Sequence, residues 1–150
     1  MNNVIKIMLI SASPVLELRG AIPFALSLGF TPQKSFLISL IGNLLPVPFL
    51  LLVFSPISER IRNIAVFKKF FSWLEERTRK KARLVEKYEF LGLILFVAIP
   101  LPTTGAWTGS FAASIFRIRF RLALLAIIIG VIIAGLIVTF LSWGGFLFLK

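Results

Sequence analysis

The chain has 150 residues, no cysteine and no histidine, a net charge of +11 and a mean hydropathy of +0.96. That apolar content exceeds what soluble domains carry, and the missing thiols and imidazoles exclude disulfides and thiolate chemistry and remove the commonest general base and metal ligand. All six acids are glutamates, a poor inventory for an enzyme or a metal centre, so no catalytic residue, metal or cofactor is expected. Nor does the basic excess call for nucleic acid: cytoplasmic loops lying on anionic lipid carry the same charge, and no zinc-finger spacing or RNA-binding aromatic motif is present.

Residues 4–29 are apolar but interrupted by Pro14, Glu17, Arg19, Gly20 and Pro23. Lys6 is the only early charge and no cleavage pattern follows, so residues 1–30 are expected in the mature fold. Thr31-Pro32 has the form of an N-cap followed by proline at the first helical position. The helix it opens is expected over 32–55, about 36 Å and enough to span with some tilt. Gly42, Asn43, Pro46 and Pro48 should kink or loosen it midway.

Residues 56–89 change character, holding ten of the seventeen basic residues and five of the six glutamates. Ile57, Ile61, Ile64, Phe67, Phe71 and Leu74 recur at steps of three and four, which predicts an amphipathic helix resting on the membrane surface. The charged run EERTRKKAR follows, with Glu75–Arg79 and Glu76–Lys80 at helix-supporting spacing. Residues 90–116 are apolar again, broken by PLPTTG at 100–105; RIRFR (117–121) then leads into a spanning helix ending near residue 142. Within it Gly130 and Ala134 form a small-xxx-small pair, beside Gly135.

The order is therefore a broken segment, a span, a basic connector, a broken segment and a span. Repeat 1 covers about 4–55, the connector 56–89 and repeat 2 about 90–142, all in one membrane domain. If residues 90–116 crossed the membrane outward from a cytoplasmic connector, Arg117, Arg119 and Arg121 would lie outside. If they turn back, these arginines stay inside, as basic residues prefer. The half-segments, roughly 10–14 residues each, also have re-entrant lengths. The expected fold is an all-α integral membrane protein, with a re-entrant hairpin plus transmembrane helix repeated in inverted topology and joined by a basic amphipathic cytoplasmic connector.

This arrangement accounts for the charges in PVLELRGAIP (14–23). At mid-membrane Glu17 and Arg19 cost about 2.5–3.5 kcal/mol apiece on insertion scales unless they face a wet cavity or find partners. Residues i and i+2 do not share a helix face, so Arg19 is expected to meet a group from the second half. Thr103, Thr104 and Trp107 at the second tip, with Asn43 and Arg117, are the candidates to line a substrate and proton path. Pro14, Gly20, Pro23, Pro100, Pro102 and Gly105 are the candidates to hold the hairpin turns.

At ELRGAIPFALSLG (17–29), GNLLPVP (42–48) and AIPLPTTGAWTGSFAAS (98–114) the sequence resembles the small multidrug export family of prokaryotic membrane proteins, itself considered a distant relative of the DedA/VTT superfamily. The resemblance implies two facing re-entrant hairpins and a multi-pass protein of a prokaryotic cell membrane. It also implies proton-dependent transport, or movement of lipids such as polyprenyl phosphates between leaflets. Glu17 stands where the DedA acid is looked for. The DedA arginines of the second hairpin have no counterpart in PLPTTGAW, and Arg117 comes only after it. A transporter or flippase is expected, taking a small molecule or lipid phosphate as substrate, with protons and membrane lipid as partners, no nucleic acid, and a homodimer as the assembly. The alternative is a membrane scaffold without transport.

Overall fold

The computed structural model describes residues 2–78, 82–101 and 104–148, and every regular element among them is helical. The helices are α1 (Asn3–Ala12), α2 (Glu17–Ser27), α3 (Pro32–Leu44), α4 (Val47–Arg62), α5 (Ala65–Thr78), α6 (Ala82–Ala98), α7 (Ala106–Ile115) and α8 (Phe120–Phe148). Two stretches, Pro32–Arg62 across α3 and α4 and Phe120–Gly145 in α8, are long and apolar enough to cross a membrane.

Several boundaries differ from those the sequence predicts. The helix expected over 32–55 breaks after Leu44 and resumes at Val47, then continues to Arg62 with Pro56 inside it. The break falls where Pro46 and Pro48 lack the N–H groups that would bond back one turn. Extension to Arg62 divides the amphipathic pattern, with Ile57 and Ile61 in α4 and Phe67 in α5. Thr31 is the N-cap residue of α3 and Pro32 its first residue, but the threonine side chain makes no capping bond. Gly20 and Pro23, expected at a hairpin turn, lie inside α2, and the turn is residues 13–16 with Pro14 in it. A proline inside a helix frees one carbonyl, which membrane helices tolerate when neighbours cover it. The Glu75–Arg79 and Glu76–Lys80 pairs fall partly outside the described residues.

Helices α1 and α2 form one helical hairpin and α6 and α7 another. α1 and α2 pack on α3, α6 and α7 on α8. The two sets also dock crosswise, with α2 on α8 and α7 on α4. One core unites them: Leu18 and Ile22 of α2, Leu51 of α4 and Val97 of α6 meet Ile127 and Val131 of α8. Small residues permit the approach. A Cβ on Gly130 would lie 2.7 Å from that of Val97, and one on Gly135 would lie 2.6 Å from the ring of Phe36. The glycines of α8 thus serve close helix packing. Arg119 and Glu86 pair at 3.3 Å, setting the beginning of α8 beside the early part of α6. With Gly130 against Val97, α6 and α8 run side by side in one direction, and α7, packed chiefly on α4, carries the chain back to the start of α8.

Candidate functional site

The site lies where the two hairpin tips touch. Glu17 begins α2 with φ +47°, a left-handed conformation that a side-chain-bearing residue rarely adopts, and only 7% of its surface is exposed. Its Oε1 accepts the main-chain N–H of Trp107 at 3.2 Å. Trp107 is the second residue of α7, whose own N-cap position, Gly105, offers no side-chain acceptor. A carboxylate 90 positions away therefore takes the place of a capping side chain, at the end of α7 where the helix dipole favours negative charge. Gly105 makes this possible: a Cβ there would fall 1.8 Å from Glu17 Oε2.

Arg19 makes the second tie. Its Nη2 donates to the carbonyl oxygen of Thr104, to Thr104 Oγ1 at 3.1 Å and to the carbonyl of Ile99 at 3.5 Å. Thr104 Oγ1 also donates to the Ile99 carbonyl at 2.5 Å, closing the second tip on itself. The Nε of Arg19 is buried and has no hydrogen-bond partner among the described residues. The third tie is the Trp107 indole, which donates from Nε1 to the carbonyl of Ala12 at 3.1 Å. Each tip thus supplies the groups that satisfy the other's broken backbone.

Beside these bonds lies a cleft of about 310 Å³, lined by Pro14, Leu16, Glu17, Arg19, Thr104 and Thr108 among others. The structure brings Glu17 to Trp107 and Arg19 to Thr104; of these four, Glu17, Arg19 and Thr104 line the cleft. Pro100 lies in the second turn and Gly105 immediately before α7. Thr103 and Pro102 fall outside the described residues. Asn43 does not line the cleft; it is buried on α3, with Oδ1 lacking a partner among the described residues. Arg117 lies at the other end of α7 from Glu17, in the turn before α8.

Sequence reasoning missed the groups that hold the far end of α7. Arg62, buried at the end of α4, donates from Nη1 to the Ile115 carbonyl at 3.2 Å, and Ser58 Oγ donates to the Ser114 carbonyl at 3.1 Å. α7 is therefore suspended between a carboxylate at its positive end and a guanidinium at its negative end, each complementing the helix dipole. The sequence signal for Arg62 is faint: a basic residue one turn beyond the last long apolar run, inside a block already rich in charge.

Two apolar spans and a buried acid–arginine site between helical hairpins define an integral membrane protein with a polar centre. The chain belongs to the family described as Putative small multi-drug export protein, whose model matches residues 17–137. No curated protein and no solved structure matches the chain.

Proposed function

We propose that the protein is a proton-coupled, cofactor-free transporter of a prokaryotic cell membrane. In this reading it moves a small amphipathic or anionic, lipid-like substrate, in the manner of a DedA-type flippase, and both hairpins re-enter the membrane in inverted repeat. The observation that carries it is the cleft at the meeting of the tips, with an acid and an arginine in its wall. Transport is also in keeping with the export named by the family description.

The geometry supports the re-entrant arrangement in two ways. α6 begins and α7 ends at the same end of α8, and α7, ten residues long, is about 15 Å, half the thickness of the hydrocarbon layer. Fewer than half of the residues in each apolar span window are buried within the chain, 33% and 39%, which leaves broad faces for lipid and for the second copy of a homodimer. Single cysteines at Ser72 and Ile118 test the topology, since the chain has none of its own. An impermeant maleimide should label both only after cells are permeabilised. Labelling of Ile118 from outside would mean that residues 90–116 cross.

In the proposed cycle Glu17 carries the proton and Arg19, in the wall of the cleft, supplies the positive charge for the anionic group. Protonating Glu17 removes the charge that the N-terminus of α7 attracts, an interaction worth about 0.3–1 kcal/mol, up to about 2 when partly buried. Each 1.4 kcal/mol is tenfold in an equilibrium, so one proton shifts the tips toward parting by up to more than an order of magnitude. Glu17→Gln, a near-isostere, is expected to cut pH-gradient-driven movement of ethidium or of a fluorescently tagged phosphatidylglycerol in proteoliposomes at least tenfold, with helical circular dichroism unchanged. Wild-type rates in Glu17→Gln would remove the proton role.

A second reading, a scaffold without transport, draws on the same bonds, since Glu17 and Arg19 both tie one hairpin to the other. It differs in outcome. Glu17→Gln would be harmless, while neutralising the charges of residues 75–83, part of which lies outside the described residues, would abolish function.

A further inference from the structure

At the far end of α7 a second cleft, about 250 Å³, opens between α4 and the turn into α8. Its lining is chemically mixed: Ser55 and Glu59 of α4, Ser114 and Arg117 at the close of α7, and an apolar side that includes Leu52 and Phe120. It sits where the Pro32–Arg62 span gives way to the basic connector, the level of lipid headgroups for a helix that crosses a bilayer.

Arg117 is held there against its backbone preference. Ile118 N–H donates to the Ala113 carbonyl at 2.9 Å and Arg117 N–H to the Ser114 carbonyl at 3.2 Å, the paired bonds of a Schellman motif. Arg117 occupies the position in that motif that glycine usually takes, at φ +53°. A side chain in the left-handed region costs roughly 1–2 kcal/mol, which glycine would avoid. The strain is retained at a position where the side chain reaches the cleft.

Two opposite charges in one small cleft, with serines in the same lining and an apolar side, fit a zwitterion better than a simple anion. A guanidinium is suited to phosphate by its forked donors, a carboxylate accepts from an ammonium, and the apolar side receives the first carbons of a chain. We infer that this cleft binds the headgroup of an aminophospholipid, phosphate on Arg117 and primary ammonium on Glu59. Such binding needs the chain to be in a membrane but does not need it to transport anything.

The test is lipid retention by the purified full-length protein in native mass spectrometry. Phosphatidylethanolamine, phosphatidylcholine and phosphatidylglycerol of matched chains are compared, with inorganic phosphate as competitor. Phosphatidylethanolamine should be retained at about tenfold lower concentration than phosphatidylcholine, whose quaternary ammonium donates no hydrogen bond. Glu59→Gln should erase that preference. Arg117→Gly should weaken retention tenfold or more with helical circular dichroism unchanged, so lost binding is not lost folding. Equal retention of phosphatidylethanolamine and phosphatidylcholine, or undiminished binding by a folded Arg117→Gly, overturns the proposal. Preference for phosphatidylglycerol, or full displacement by millimolar phosphate, would also overturn it, by making the cleft an anion site.

Discussion

Gly105→Ala is expected to part the hairpin tips. The new Cβ would lie 1.8 Å from Glu17 Oε2 and 2.5 Å from its carboxyl carbon, far inside contact distance. The backbone itself does not object, for φ at Gly105 is 166°, an extended value open to any residue. The carboxylate must therefore swing out of its pocket and surrender the Trp107 N–H. Overpacking of this kind costs about 1–3 kcal/mol, and the lost cap adds roughly 1 kcal/mol more. The diagnostic result is a double-mutant cycle in denaturant or SDS titration. On a Glu17→Ala background Gly105→Ala should cost less than about 0.5 kcal/mol, because the clash partner is gone. Equal costs on both backgrounds would show that the carboxylate does not sit against Gly105.

The second large effect is expected at the other end of α7. Arg62→Glu sets a buried negative charge against the Ile115 carbonyl and the negative pole of the helix. An orphaned buried acceptor costs about 1–3 kcal/mol, and reversing the dipole interaction adds up to about 2 kcal/mol, so a loss of roughly 2–4 kcal/mol is expected. Arg62→Met keeps the apolar stem of the side chain and should lose only about half as much. Unfolding followed by tryptophan fluorescence in SDS titration gives both values. If the glutamate variant is no less stable than the methionine variant, the charge at this end of α7 is immaterial and Arg62 serves by packing alone.

The two spans were legible in the sequence, because a helix of that length that is apolar all round can hide its whole circumference only in lipid when the chain is this short. So was the pairing of interrupted segments with charges, because Glu17 and Arg19 stand out against their surroundings. The partners of those charges were only half legible. That Arg19 would seek a group from the second tip follows from its spacing relative to Glu17; that Glu17 would cap α7 does not, since a cap supplied across 90 residues leaves no local pattern. Gly105 read as a turn residue, whereas its role is to leave room for an oxygen. Pro23 read as a turn and proved helical, since proline in the sequence marks a missing N–H without saying whether a neighbouring helix covers the freed carbonyl. Asn43 was grouped with the cleft for its polarity, but the face it occupies on α3 depends on where the helix breaks, and the break at Leu45 was placed only loosely by Pro46 and Pro48.

The crosswise docking of α2 on α8 and of α7 on α4 bears on how the protein is made. A ribosome that has released residues 1–78 has delivered α2 without the surface that Leu18 and Ile22 pack against, and Glu17 without the helix end it caps. The nascent first half therefore waits in the translocon or in lipid with a buried-type acid and an apolar arm both unmatched. Its maturation waits on the second half: the ties between the tips can form once α7 emerges, and the shared core closes only when α8 follows.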